Sequence, residues 1–282
     1  MPAASPTVFF GHGSPMNAIE HNEFTNGWTE FGERITSHNK MHLKHKEIPN
    51  TDKGTLVYPN AVLVISAHWA TQGVCVAMNP LPRTIHDYSG FPPELSQVEY
   101  PAPGSPALAQ HVTNLLREFV APDPISLTTT WGLDHGTWSV LRHVFPKANV
   151  PVVQMSIDIS KPAAWHLQVA RKLQTLRDYQ VLIVGSGNIV HNLSAINWTD
   201  NAQPHPSTIG FHKYIVEAIE NNDIDAIVNY ASHPDAAYAV PTPEHFLPLL
   251  YVLGARRPNE APHTVTDGFV YSSLSMYSVA FG

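Results

Sequence analysis

Cysteine is nearly absent from this 282-residue sequence, in which Cys75 is the single example. A lone cysteine excludes an intrachain disulfide and a metal site built from several thiolates. Cys75 lies in the apolar run GVCVAM, where a small buried side chain is the expected role. The glycine-rich segments lack a Walker lysine and the G-x-S-x-G spacing, so the sequence nominates neither a phosphate cradle nor a serine or cysteine nucleophile.

Basic charge and long apolar runs are also scarce. Lys and Arg total 16 against 23 acidic residues, a formal net charge of −7 with no basic stripe, so nucleic acid is not an expected partner. No run approaches the ~20 apolar residues that cross a bilayer. The start MPAASPTVFF lacks the basic segment and the apolar length of a signal peptide. We therefore expect no membrane partner and a cytoplasmic location.

Hydrophobic residues form 43% of the chain, and their pattern alternates between two kinds of segment. Five short, nearly continuous runs are typical of strands covered on both faces: TVFF (7–10), AVLVIS (61–66), GVCVAM (73–78), VPVVQMSI (150–157) and VLIVG (181–185). Amphipathic helices are predicted to begin at Ser105–Pro106, at Ser160 or Lys161 before Pro162, near residue 208 and at Thr242–Pro243. The last twenty residues resemble a strand pair.

This alternation predicts an α/β fold, with one domain over residues 1–282. We expect a central twisted β-sheet, mixed because of the terminal strands and covered by helices on both faces. The region 36–60 is polar and rich in turn residues, which indicates an exposed insertion or lid. Its histidines, His38, His42 and His45, are assigned to a solvated loop.

Histidine is the residue present in excess: there are 17, more than Lys and Arg together. His12 and His68 each follow a predicted strand, and His191 follows a third within a few residues. Ligands bind open α/β sheets at the carboxyl ends of the strands. The three together therefore favour a metal or catalytic site over separate hydrogen-bonded loop histidines. Gly11 and Gly13 either let a ligand approach the backbone or form a plain tight turn.

Other candidates carry two interpretations. Glu244 and His245 are predicted in the first turn of a helix, where either is a candidate ligand, or where Glu244 only complements the helix dipole. His135, within WGLDHGTW, is expected in a loop as part of a pocket wall or as a structural residue. His86 and Asp87 are weaker candidates for the same cleft. An aromatic pocket lining, with core packing as the alternative, is considered for Trp69, Tyr88, Phe91, Trp131 and Trp138.

Seven segments, in order, resemble the LigB-type class III extradiol ring-cleavage dioxygenases, and within them the 4,5-DOPA extradiol dioxygenase branch. They are GHGSPMN (11–17), SAHW (66–69), IHDYSGFP (85–92), YPAPGSP (100–106), WGLDHGTW (131–138), GSGNIVHNL (185–193) and TPEHFLPLLYVLGA (242–255). The resemblance implies one LigB-like α/β domain and a non-haem Fe(II) site that supports insertion of both atoms of O₂ into a catechol ring. Zn(II) is also found as the bound metal in this branch.

Carried over by motif, the resemblance implies that His12, His68 and His245 are the metal ligands, where the wider superfamily has two histidines and a carboxylate. His191 would stand beside the open metal positions as the acid/base, approaching as a fourth ligand, and His135 would face the substrate. The expected partners are O₂ and a small, DOPA-like catechol, and the expected product is a muconic semialdehyde. The oligomeric state is left open, and a monomer is compatible with the sequence.

Two other functions fit the same residues. A zinc-dependent hydrolase would use the histidines to hold Zn²⁺, which activates water when one position is left open. A non-catalytic binding protein of the same fold would be expected to lack a strand-end histidine, and all of them are present. Arg83, Arg142 and the lysines of 36–60 are the candidates for binding a substrate carboxylate.

Overall fold

The structure is a computed structural model that describes residues 4–42, 59–199 and 202–282. Its strands are β1 (Thr7–Gly11), β2 (Ala61–Thr71), β3 (Val74–Ala77), β4 (Ile125–Thr128), β5 (Val152–Asp158), β6 (Val181–Gly187), β7 (His263–Thr266), β8 (Phe269–Val270), β9 (Leu274–Ser275) and β10 (Ser278–Phe281). Its α-helices are α1 (Glu23–His42), α2 (Pro106–Val120), α3 (His135–Val144), α4 (Ala163–Leu173), α5 (Pro206–Glu220), α6 (Ile224–Val228), α7 (Ala236–Ala239) and α8 (Leu247–Ala255).

The central sheet has eight strands in the order β4-β3-β5-β2-β6-β1-β10-β7, and β8 pairs separately with β9. The neighbours β5, β2, β6 and β1 run parallel, whereas β10 is antiparallel to both β1 and β7. This mixed sheet within one domain confirms the predicted α/β fold, and all five predicted strands are present. Sequence analysis missed β4, because ISLT is partly exposed at the sheet edge and has no continuous apolar run.

Two hydrophobic cores lie on opposite faces of the sheet. Successive residues of a strand point to opposite faces, so Val62 and Val64 join one core while Leu63 and Ile65 join the other. Residues of α2, α4, α5 and α8 cover the second core, and residues of α1 and α3 cover the first. Burial on both faces explains why the strands appear in the sequence as unbroken apolar runs.

Two predicted helix starts are wrong because the expected capping side chains bind elsewhere. Ser105 does cap α2, accepting a hydrogen bond from the Leu108 amide at 3.2 Å. The Ser160 hydroxyl instead donates to Asp158 at 2.6 Å, so α4 begins at Ala163 without a side-chain cap. The Thr242 hydroxyl donates to Glu244 at 2.6 Å, and α8 begins only at Leu247.

Helix α1 was not predicted, and it enters the region assigned to an insertion. Its buried face, Phe24, Trp28, Phe31 and Ile35, has the spacing of an amphipathic helix. The helix continues to His42, so His38 and His42 are helical rather than part of a loop. The remainder of the predicted insertion, from 43 to 58, lies outside the described residues. Within the described parts of the chain, no helix is long and apolar enough to cross a membrane.

Candidate metal centre

Three neighbouring parallel strands bring histidines to one edge of the sheet. His12 directly follows β1, and His191 follows β6 four residues after Gly187. His68 lies within β2 rather than after it, because that strand continues to Thr71. The pairing of β2 with β5 shifts register between Ile65 and Ala70. Such a bulge redirects a side chain, which explains how a residue inside a strand reaches the edge.

His245 reaches the same edge from a turn before α8, not from the first turn of the helix as predicted. The Asn188 amide donates to the His245 carbonyl oxygen at 2.9 Å. A Cβ atom on Gly187 would lie 2.1 Å from that oxygen, so only glycine permits this approach. The end of β6 therefore fixes the position of His245.

The side chains of His12, His68 and His245 form one ligand group. Each offers a ring nitrogen, and the three nitrogens lie within 4.8 Å of one another. The Nε2 atoms of His12 and His68 are 3.1 Å apart, near the about 3.3 Å expected between two tetrahedral ligands at about 2.0–2.1 Å from zinc. Among the described residues, the buried Nε2 of His245 has no hydrogen-bond partner. Imidazole nitrogens that converge in this way, one of them buried without a hydrogen bond to a described residue, are the ligand atoms that suit a divalent transition metal ion.

Ser186 selects the nitrogen that His12 presents to this group. The Ser186 hydroxyl donates to the Gly136 carbonyl oxygen at 2.5 Å, so its oxygen accepts from Nδ1 of His12 at 2.9 Å. With the proton held on Nδ1, the lone pair of Nε2 points toward His68. Outer hydrogen bonds of this kind orient a ligating histidine and set its tautomer.

Glu244 lies behind His245. Its Oε1 is 3.3 Å from Nδ1 of His245 and also accepts from Thr242. Among the described residues the ligand group contains His245 and not Glu244. Glu244 therefore contacts the outward nitrogen of His245, as Ser186 contacts that of His12.

Burial keeps the ligand histidines uncharged. It lowers the pKa of His12 and of His245 well below the usual value, and neighbouring histidines lower both further. Burial also lowers the pKa of His68, aided by His135, and this outweighs the opposing effect of the Asp87 carboxylate. At neutral pH the three rings therefore present lone pairs, as metal ligation demands.

His191 stacks on His245 without joining the ligand group. The two rings are parallel within 4°, and their centroids are 3.4 Å apart. Burial lowers the pKa of His191 to about 4, so this ring too is neutral at physiological pH. Its assignment as a fourth ligand stays a prediction.

Asp87 connects His135 with the ligand group. His135 is the first residue of α3, not a loop residue as expected, and its ring centroid lies 3.8 Å from that of His68. One oxygen of Asp87 accepts from the His135 amide at 2.9 Å and lies 3.0 Å from Nδ1 of that residue. The other oxygen is 3.6 Å from Nδ1 of His68. Burial raises the pKa of Asp87, but the bonds from His135 outweigh it and leave the pKa below its usual value.

A buried polar network that sequence analysis did not identify lies below the histidines. Asp134 caps α3 through the Thr137 amide at 3.1 Å, and accepts from the Ser66 hydroxyl at 2.7 Å and from Gln154. Burial raises the pKa of Asp134 to about 6. In WGLDHGTW, Asp134 stands just before His135, in the position of a helix cap. This is the signal in the sequence that could have identified its structural role.

Comparison with known proteins identifies the family. The LigB profile, described as the catalytic LigB subunit of aromatic ring-opening dioxygenase, matches residues 7–282. The chain belongs to the LigB family. It is an extradiol ring-cleaving dioxygenase.

Relatives of this LigB chain are similar over nearly their whole length. The 4,5-DOPA dioxygenase extradiol of Escherichia coli K12 is 43% identical, with 98% of this chain and 94% of the relative covered. The protein of the same name from Beta vulgaris is 32% identical, with 94% and 93% covered. The crystal structure of an uncharacterized Escherichia coli K12 protein superposes with a TM-score of 0.79 at 40% identity, covering 99% of this chain and all of the other.

The ligand group of this LigB domain opens into a cavity of about 230 Å³. Tyr88 and Phe91 line it, as predicted. The three tryptophans proposed with them do not: Trp69 stacks on Trp131 at 4.9 Å, and buried Trp138 donates to the Ile85 carbonyl oxygen at 2.8 Å. Four further lining residues were not predicted, because they lie outside the quoted motifs: Ile196, Trp198, Tyr271 and Leu274. Leu193, the last residue of GSGNIVHNL, also lines the cavity.

Proposed function

We propose that this LigB chain is a metal-dependent extradiol dioxygenase that inserts both atoms of O₂ into a DOPA-like catechol and yields a muconic semialdehyde. The observation that supports the proposal best is the convergence of His12, His68 and His245, whose ring nitrogens lie within 4.8 Å of one another at the base of a cavity. The names of the relatives support a DOPA-like substrate.

His12, His68 and His245 would hold the metal, with Fe(II) expected for activity and Zn(II) as an alternative occupant. Bound Fe(II) would supply open positions for a chelating catechol and for O₂, together with the electron transfer that ring opening requires. Ser186 and Glu244 keep the outward nitrogens of His12 and His245 occupied, so the inward nitrogens remain available. Proton transfer and substrate contact are assigned to side chains of the protein.

His191 is the proposed acid/base. It lines the cavity beside His245, and burial lowers its pKa to about 4. The neutral ring accepts a proton from the catechol, and its low pKa makes the protonated ring a strong acid that returns the proton later in the reaction. His135 would face the substrate from the opposite wall, with its Nδ1 held 3.0 Å from Asp87. Its Nε2 is then free to contact a catechol hydroxyl.

Anaerobic reconstitution with Fe(II), followed by oxygen uptake with a panel of catechols, tests the function. We expect one O₂ per catechol and a yellow product. His12→Ala, His68→Ala and His245→Ala should lose metal and turnover together. His191→Ala should keep most of the metal while its rate falls about 10²–10⁴-fold, the usual loss for a general acid/base. An unchanged rate would remove that role.

Replacement of exposed His111 on α2 provides the matched control. His111→Ala should change neither metal content nor rate. A zinc-dependent hydrolase would be indicated if the reconstituted protein altered its substrate without consuming O₂.

A further inference from the structure

The mouth of the cavity carries two aromatic side chains, Trp198 and Tyr271, here called the aromatic rim. Both line the same cavity as the ligand histidines. Trp198 is 66% exposed, although a side chain of this type is usually buried. The two ring centroids are 4.9 Å apart with an angle of 52° between the planes. An exposed indole beside a second ring is a surface suited to an aliphatic chain or a cation.

Backbone hydrogen bonds fix the aromatic rim relative to His191. The Asn197 amide, next to Trp198, donates to the Tyr271 carbonyl oxygen at 3.0 Å. His191 and Leu274 form an antiparallel bridge, so the segment that carries Tyr271 is paired with the segment that carries the proposed acid/base. The rim is therefore tied to the site and does not belong to an independent loop.

Tyr271 lies in the tight turn that connects β8 with β9. Tyr271 and Ser272 both have positive φ, 54° and 69°. Such values are typical of short hairpin turns, and for residues other than glycine they require surrounding contacts that hold them. Here the contact is the hydrogen bond from Asn197 described above, together with the His205 amide, which donates to the Ser272 carbonyl oxygen at 2.9 Å.

The described lining of the cavity carries one carboxylate and no permanently cationic side chain. Among these residues there is no lysine or arginine, and the predicted candidates Arg83 and Arg142 are not lining residues. Asp87 contributes the carboxylate. A bound divalent ion would add its charge at the histidines, so the preference at the mouth rests on the π faces of the aromatic rim.

We infer that Trp198 and Tyr271 hold the ring substituent of the substrate and that this rim favours a substituent bearing an ammonium group over a neutral substituent of similar size. The inference rests on the proposed function, because it assumes that the two catechol oxygens face the histidines. The substituent then extends outward to the rim, where the ammonium lies against the indole face.

Binding to the zinc-loaded protein tests the inference without turnover. Calorimetry is performed with unsubstituted catechol and with catechols that carry an aminoethyl, a propyl or a carboxymethyl group at the same ring position. We expect the aminoethyl compound to bind more tightly than the propyl compound, and the carboxymethyl compound to gain nothing from the rim. Trp198→Ala should weaken the aminoethyl compound about fivefold, the value of one cation–π contact. Unsubstituted catechol should be unaffected.

Two further variants separate the rim from general effects. Trp198→Phe should retain part of the preference, since a phenyl ring still offers a π face. Tyr179→Ala removes an aromatic side chain that is 64% exposed and precedes β6 at its amino end, away from the cavity. It should leave all four affinities unchanged.

The outcomes distinguish the inference from the proposed function. Aminoethyl and propyl compounds of equal affinity, or equal weakening of all four compounds by Trp198→Ala, overturns the inference. If the iron-loaded protein also consumes O₂ in that case, the proposed function survives. If the expected order of binding is found but no catechol is cleaved, the inference stands and the proposed function fails. Absence of catechol binding refutes both.

Discussion

Removal of the Ser186 hydroxyl would test how the chain prepares its ligands. Ser186 donates to the Gly136 carbonyl oxygen and accepts from Nδ1 of His12 at 2.9 Å. In Ser186→Ala, His12 either keeps a buried N–H without a partner or moves the proton to Nε2. That nitrogen lies 3.1 Å from His68 within the ligand group. Both changes oppose metal binding.

The size of the effect can be expressed as a free energy or as a change in metal affinity. A buried donor without a partner costs about 1–3 kcal/mol. Loss of an outer hydrogen bond to a ligating histidine typically lowers metal affinity about 10–100-fold, equivalent to ~1.4–2.8 kcal/mol. The ranges overlap, because the first penalty is the physical origin of the second. We therefore expect the zinc dissociation constant of Ser186→Ala to rise about 10–100-fold.

Competition with a chromophoric chelator, on protein stripped of metal, measures this constant. Ser139→Ala is the matched control, because Ser139 is also buried and belongs to α3, and its hydroxyl has no hydrogen-bond partner in the part of the chain that the structure describes. Its zinc affinity should equal that of the parent protein. The reasoning is refuted if Ser186→Ala binds zinc as tightly as the parent, or if both serine variants lose affinity equally.

Two stability predictions follow. Burial lowers the pKa of His12 and His245 well below 6.5. The unfolded chain therefore takes up protons before the folded chain does, and metal-free protein loses stability as pH falls below about 6.5. At pH 5.5 each of the two histidines lowers the free energy of unfolding by about 1.4 kcal/mol. Urea unfolding of chelator-treated protein measures this loss, and a free energy of unfolding that stays constant from about pH 7.5 to 5.5 would contradict the prediction. Fully buried Arg177 pairs with Glu260 through two nitrogens at 2.6 and 2.7 Å. Glu260→Ala leaves that charge unpaired and should lower the free energy of unfolding by roughly 3 kcal/mol with zinc affinity unchanged; a much smaller loss would show that water compensates the arginine.

The sequence predicts the sheet and two of the three histidines of the ligand group for one reason. Strands buried on both faces give apolar runs, and a polar residue at the end of such a run has few roles other than in a site at the sheet edge. His12 follows this rule. His68 follows it only in sequence, since its strand continues through a bulge to Thr71. The pattern identifies the residue even where it misplaces the end of the strand.

Residues that act through long-range contacts could not be predicted in the same way. His245 was assigned to a helix turn, yet its position depends on the absence of a side chain at Gly187, which no local pattern reveals. Asp87 and Ser186 contact their histidine partners from positions 48 and 174 residues apart in sequence. Trp198 lies in an irregular segment whose position depends on its pairing near Tyr271. Tertiary structure decides all of these contacts.

The positions of the carboxylates explain why the ligand group contains only histidine. In the proposed function, three neutral imidazoles would leave the full charge of a bound divalent ion in the cavity, where it would lower the pKa of a catechol hydroxyl more than it would beside a carboxylate ligand. Glu244 and Asp87 contact outward ring nitrogens instead, at 3.3 Å from His245 and 3.0 Å from His135. From there each would orient a ring without neutralising a bound ion directly. Asp87 also forms a second possible metal-binding group with His68 and His135, so the all-histidine ligand set stays a prediction.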